Sequence, residues 1–332
     1  MKRYIYTALI FLGVSGSISA KENVNVHRYA GPQQGNQTYA GCAPSKSRKD
    51  LDINNVRCPI WINGDMWWDL SGNALYEIPV GSGKHSLFAG AIWIGGKEAG
   101  SQNLKVAAQT YRQSGSDFWP GPIDKVTTDI TPDQCLKYDQ HFKITFAEVK
   151  EFHRNYQGAN PDVNYPIPDV IKNWPANGDP AFNQEAVLAP FFDSNTDNVY
   201  DINIGDYPAY NVDGSLNPCD KNLLLGDQTI WWVFNDVGNI HGETESQYPV
   251  KVEIQAQAFG FNTNDEINNM TFYRYKIINR ATTDLDETYF GAWVDPDLGN
   301  YLDDYVGCDV ERGLGFCYNG DADDDGAGGF NP

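Results

Sequence analysis

The run V-E-I-Q-A-Q-A-F at residues 252–259 alternates apolar and polar side chains without interruption. Successive side chains of a strand point to opposite faces. The pattern therefore reads as a β-strand with Val252, Ile254, Ala256 and Ala258 inward and Glu253, Gln255 and Gln257 outward. Shorter runs of this kind recur along the chain. L-D-I-N-N-V-R-C-P-I-W-I opens the series, Trp67 and Trp68 follow on opposite faces of a strand, and residues 88–94 form a glycine-bounded one. Val106, Ala108 and Thr110 share a face, as do Phe142, Ile144 and Phe146. T-I-W-W-V-F-N-D is a further strand. T-F-Y-R-Y-K-I-I-N and T-Y-F-G-A-W-V complete, with residues 252–259, an expected three-strand meander. We expect a mainly β fold, an antiparallel β-sandwich of jelly-roll or Ig-like type, with long Asp/Gly/Pro-rich loops and one or two short helices.

One helix is predicted where Phe146, Val149, Phe152, His153 and Tyr156 fall at helical spacing. Residues 157–227 are rich in Pro, Asn, Asp and Gly and read as a long irregular insertion, with a short helix near residues 182–188. The first twenty residues combine Lys2 and Arg3, a short apolar run and small residues before Lys21, as a secretory leader cut after Ala20 would. A buried N-terminal strand is the alternative for that stretch. The expected organisation is thus a leader at 1–20, an extended polar segment at 21–50 and one sandwich domain at 51–332.

The formal net charge is −20, and losing Lys2 and Arg3 with the leader makes it −22. Such acidity argues against nucleic acid, whose phosphates need clustered Lys and Arg. No segment reads as a membrane-spanning helix. Six cysteines follow the leader: Cys42, Cys58, Cys135, Cys219, Cys308 and Cys317. An even number behind a leader points to disulfides, and proximity favours Cys42–Cys58 and Cys308–Cys317. A short loop closed in this way is stabilised by roughly 2–3 kcal/mol.

Three acidic stretches have calcium-loop spacing, in which hard oxygen ligands at alternate positions wrap one Ca²⁺. In the first, Asp193, Asn195, Asp197, the carbonyl of Val199 and Asp201 occupy positions one to nine. Asn198 replaces the usual glycine, Ile204 stands at position twelve, and Asp206 would close the shell. In the second, Asp295, Asp297 and Asp303 supply ligands around a turn at Gly299 and Asn300. The third is D-A-D-D-D-G, with Asp321, Asp323 and Asp325, whose closing position falls on Pro332. An Asx-rich turn that needs no metal is the alternative. Extracellular sites of this kind bind weakly, with Kd on the order of 10⁻⁴–10⁻³ M.

His241-x-Glu243-x-Glu245, with Asp236 nearby, offers a metal or acid–base cluster, although its glycine-rich setting favours an exposed loop. No nucleophile-elbow, zinc-protease or phosphate-loop motif is present. The nine tryptophans are read chiefly as core, and any left exposed could stack on sugars.

G-D-M-W-W-D, G-S-G-K-H-S-L-F-A-G-A-I-W-I-G-G, K-V-A-A-Q-T-Y-R-Q-S-G-S-D-F-W-P-G-P, G-D-Q-T-I-W-W-V-F-N-D and D-P-D-L-G-N-Y-L-D-D-Y-V-G-C-D are long, specific strings. Together they resemble the N-terminal region of large secreted Bacteroidota proteins that end in a type IX secretion sorting domain. The resemblance implies export to the cell surface or medium and brings no activity with it. Since the sequence stops inside an acidic, glycine-rich run, we expect it to continue beyond Pro332. The expectation for function is a secreted surface protein, structural or adhesive, with calcium-stabilised loops. Its partners would be surface glycans or other surface proteins, with no nucleic acid and no membrane span. A carbohydrate-binding module or glycan-degrading hydrolase is the alternative.

Overall fold

A computed structural model describes residues 5–12 and 39–320, apart from 113, 158–161, 163 and 210–224. In chain order the strands are β1 (Ile5–Leu12), β2 (Arg48–Leu51), β3 (Cys58–Trp61), β4 (Tyr76–Glu77), β5 (His85–Glu98), β6 (Leu104–Ala108), β7 (Trp119–Pro120) and β8 (Phe142–Thr145). They continue as β9 (Phe191–Phe192), β10 (Tyr207–Pro208), β11 (Gln228–Asn235), β12 (Val252–Gly260), β13 (Met270–Asn279), β14 (Leu285–Pro296), β15 (Asp304–Asp309) and β16 (Leu314–Asn319). Three short helices interrupt them: α1 (Pro132–Lys137), α2 (Phe146–Gln157) and α3 (Asp169–Lys172). The fold is mainly β, and all the strand pairs are antiparallel.

Two sheets face each other across one core. The first runs β1-β13-β12-β11, with β7 and β8 both on β11; the second runs β14-β5-β4, with β6 also on β5. Ile230, Trp232, Phe234, Ile254, Ala256, Tyr273 and Tyr275 from the first meet Ile92, Ile94, Tyr76 and Trp67 from the second side. Trp67 is fully buried, edge-on to Tyr76 and Tyr273, and its indole Nε1 donates to the Tyr273 hydroxyl at 2.8 Å. Gly90 is required beneath it, because a Cβ there would lie 2.4 Å from the Trp67 ring.

The alternation in β12 is present, but its outward face is not in water. Glu253, Gln255 and Gln257 are all buried. The reason is a third layer: Trp231 and Val233, on the outer face of β11, pack into a second apolar cluster with Ile144, Phe152, Ile171, Trp174, Leu188 and Tyr207. Described segments between residues 121 and 209, apart from β8, thus roof the first sheet. The charged Glu253 beneath them is paired, while the amide oxygens of Gln255 and Gln257 have no partner among the described residues. Arg280 donates through Nε and Nη2 to the Glu253 carboxylate at 3.1 and 2.9 Å and through Nη1 to Glu185 in the roof at 2.7 Å. Gln255 donates to Glu253, and Gln257 to Thr229.

The expected helix over residues 146–156 is α2, while α1 and α3 have no counterpart in the expectation. At residues 182–188 there is no α-helix, only the end of a 3-10 turn, Pro180–Phe182. The expected meander is corrected: β11, β12 and β13 form it, whereas β14 crosses to the second sheet and pairs with β5. β1 lies within the expected leader and lines the edge of β13, so cleavage after Ala20 would uncover that edge. No described helix is long and apolar enough to cross a membrane.

The expected disulfides are also corrected. Cys42 bonds to Cys135, 93 residues away, and joins residues before β2 to α1. Cys58 is a buried thiol on β3. Cys308 and Cys317 are thiols on β15 and β16, where each stands opposite another residue (Cys308 opposite Gly315, Cys317 opposite Val306). Diagonal neighbours in a hairpin stand about 7–8 Å apart, too far for an S–S bond. Cys219 lies outside the described residues.

Candidate functional site

The first acidic loop, residues 193–206, is closed at its base by the β9–β10 pair. Its side chains bond to its own backbone. Asp193 Oδ1 accepts from the amides of Thr196 and Asp197 at 2.7 and 3.3 Å, and Oδ2 from Asn198 at 2.6 Å. Asn195 Oδ1 accepts from the Asp197 amide, and its Nδ2 donates to Asp197 Oδ2 at 2.8 Å. Asp197 Oδ1 accepts from the Val199 amide at 2.7 Å, and Asp201 caps the 3-10 turn Ile202–Ile204. Buried Asp206 ties the ends together, accepting from Ser194 and Asp201, each at 2.9 Å. Asn198 is left-handed, at φ 62°, as expected of a residue in the glycine position. Asn177 steadies the loop from outside by donating to the Asn198 carbonyl and accepting from Tyr200. This loop is folded by amide-to-carboxylate bonds, which leave outer lone pairs on the exposed Asn195 and Asp197.

The second loop follows β14. Tyr111 donates to Asp295 Oδ2 at 2.6 Å, and Asp304 Oδ2 accepts from the Leu298 amide at 2.8 Å. Asp304 stands opposite Asn319 at the open end of the β15–β16 hairpin, and the Gly320 amide donates to the Asp303 carbonyl. Asp297 Oδ2, Asp303 Oδ1, Asp304 Oδ1 and Asn319 Oδ1 are all shut from solvent. Burial, then the charges of Asp304 and Asp297, push the Cys317 thiol up to about 12. Sequence spacing identified Asp295, Asp297 and Asp303 but passed over Asp304 and Asn319, which only the hairpin register brings in. The third stretch, with Asp321, Asp323 and Asp325, lies outside the described residues. The described chain leads into it from Gly320.

Among the described residues, no three His, Cys, Asp or Glu side chains stand together as a metal shell would require. The donors in both loops are nonetheless the hard oxygens that suit Ca²⁺ rather than a softer metal.

The His241 cluster departs from the exposed loop its sequence suggested. His241 is 2% exposed. Its Nδ1 faces the Val106 carbonyl at 3.0 Å and its Nε2 the Asp236 carbonyl at 2.7 Å. Asp117 and Asp236 carboxylates flank the ring at 3.7 and 3.6 Å. Asp236 in turn accepts from the amides of Val250 and Val252, and burial raises its carboxyl above the usual range. Asp117 accepts from the amides of Ala108, Glu243 and Thr244 and from the Thr244 hydroxyl. Glu243 takes the Thr110 hydroxyl, and its carboxyl too is raised, by burial first. With both ring nitrogens facing backbone carbonyls and the ring enclosed, His241 is not open to a metal or to a substrate. The cluster knits β6, β11 and the 241–244 loop together. Asp117 was not foreseen as a partner, because it is 124 residues from His241.

Most tryptophans are core, as expected; Trp93 is exposed and Trp293 half-buried. Comparison with protein-family models, curated proteins and solved structures returns no match to this chain.

Proposed function

We propose that this chain is a secreted surface protein of structural or adhesive role, in which Ca²⁺ braces the acidic loops. The supporting observation is the turn after β14. There the oxygens Asp297 Oδ2, Asp303 Oδ1, Asp304 Oδ1 and Asn319 Oδ1 are withdrawn from water around one end of a hairpin. Like-charged carboxylates that have lost hydration repel one another, and a divalent cation removes that cost. In this reading Asp297, Asp303, Asp304 and Asn319 close on the ion when it binds, since without it no three carboxylates among the described residues stand together as a shell. Asp321, Asp323 and Asp325 follow directly in sequence. The loop with Asp193, Asn195, Asp197, Val199, Asp201 and Asp206 is a second, weaker position, since its carboxylates already accept backbone amides. A leader-like composition at residues 1–20 and a formal net charge of −20 support export and a role outside the cell.

Removing calcium with EDTA should lower the melting temperature, and restoring millimolar Ca²⁺ should recover it. Asp297→Asn should abolish most of the calcium-dependent shift, whereas Asp197→Asn should remove less. A melt indifferent to EDTA and to added Ca²⁺ would sink the reading.

A further inference from the structure

The outer face of the second sheet carries an aromatic row that the described loops leave partly open. Trp93 on β5 and Trp293 on β14 lie nearly parallel, at 11° and 6.3 Å between ring centroids. Trp93 is 40% exposed, and Tyr289, further along β14, is 76% exposed. Each large ring sits beside a small residue of the neighbouring strand: Trp93 beside Gly291 and Ala108, Tyr289 beside Gly95, Trp293 beside Ala91. Nothing lies within 4 Å of a Cβ built on Gly291, so the floor between the rings is open. The rings are held in place. Trp93 Nε1 donates to the Gln109 carbonyl at 2.9 Å, and Tyr111 meets Trp293 edge-on at 5.0 Å.

A cluster of exposed rings invites an occupant. A protein interface buries about 800 Å² per partner, more than three partly covered rings offer. A second copy would bring its own −20 charge against this one. Lys97, beside the row, is already engaged by Glu287, so its charge is met within the protein. What fits is a neutral ligand with flat apolar faces and a polar rim. The row from Tyr289 to Trp293 spans about 13 Å at strand spacing, which suits linked units rather than a single one.

We propose that this face binds neutral polysaccharide chains. The CH faces of consecutive sugar rings would lie on Tyr289, Trp93 and Trp293, and the hydroxyls would reach the polar rim at Glu287, Asp286 and Lys97. None of the three rings belongs to an acidic loop, so this inference stands apart from the calcium reading.

Native gel electrophoresis of the full chain through laminarin, xylan, galactomannan or hydroxyethyl cellulose tests it, with and without EDTA. Retardation is expected in at least one gel, and it should weaken by about tenfold in Trp93→Ala and in Tyr289→Ala. Tyr289→Ala removes an exposed side chain and should keep the wild-type melt, so its loss of retardation cannot be unfolding. No retardation in any of the four gels would overturn the proposal. So would retardation that survives the double variant, or a light-scattering dimer that Trp93→Ala dissolves.

Discussion

The two outer faces of the sandwich contradict their own hydropathy in opposite directions. On the first sheet, β12 turns Glu253, Gln255 and Gln257 away from the core, and all three are buried. On the second, β5 and β14 turn Trp93 and Tyr289 away from the core, and both are exposed. The difference lies in what the chain lays over each face. Described segments between residues 121 and 209, apart from β8, form a roof with its own apolar cluster over the first sheet, and Arg280 bolts it down through Glu253 and Glu185. Nothing comparable covers the Trp93 end of the second among the described residues. A polar residue tolerates burial when its bonds are made, and a cluster of rings left in water is a candidate contact surface.

The largest test of this contrast is Arg280→Ala. It would strand the fully buried Glu253 carboxylate without its cation, and the expected loss is about 3–5 kcal/mol in urea denaturation. A loss below about 1 kcal/mol would mean that the roof is not held through this pair.

A second test uses His141, where β8 joins the first sheet. It is buried against Trp232, and its Nδ1 pairs with the Ser47 hydroxyl at 3.0 Å. Burial holds it down at about 3, far below the unfolded value of about 6.5. A depressed folded value means that stability is fully present above pH ~6.5 and is lost as pH falls towards about 3. The loss expected from this residue is roughly 3–4 kcal/mol. It should appear as a pH-dependent denaturation midpoint that His141→Phe flattens; an equally steep variant would count against it.

The smallest expected effect is on the open face. Tyr289→Ala should change stability by no more than about 0.5 kcal/mol, because its ring covers nothing that water must be kept from. A larger loss would show that the aromatic row serves the fold.

Strand positions were largely legible, because period-two alternation is a local property. The segments expected at 142–146, 229–236 and 252–259 are β8, β11 and β12 to within a few residues. The W-W pair of β11 shows what alternation cannot say. Trp231 and Trp232 point to opposite faces as any neighbours do, and both are buried because there is a layer on each side. The candidate sites were half legible. Asp193 to Asp206 does form one compact turn, since its Asp193 and Asp206 carboxylates find their partners within the loop. Asp304 and Asn319 were missed because hairpin register joins them, and the disulfide was missed because proximity in sequence said nothing of Cys135.

By itself the sequence determined a β-rich, acidic chain with strands in known places and tight Asx-built turns. These follow from side-chain periodicity and from bonds between near neighbours. Tertiary structure alone decided which face of each sheet is dry, that β14 belongs to the second sheet, that Cys42 finds Cys135, and that His241 is enclosed by Asp117 and Asp236. Each depends on groups far apart in the chain, whose meeting is set by how the layers pack and not by any local pattern.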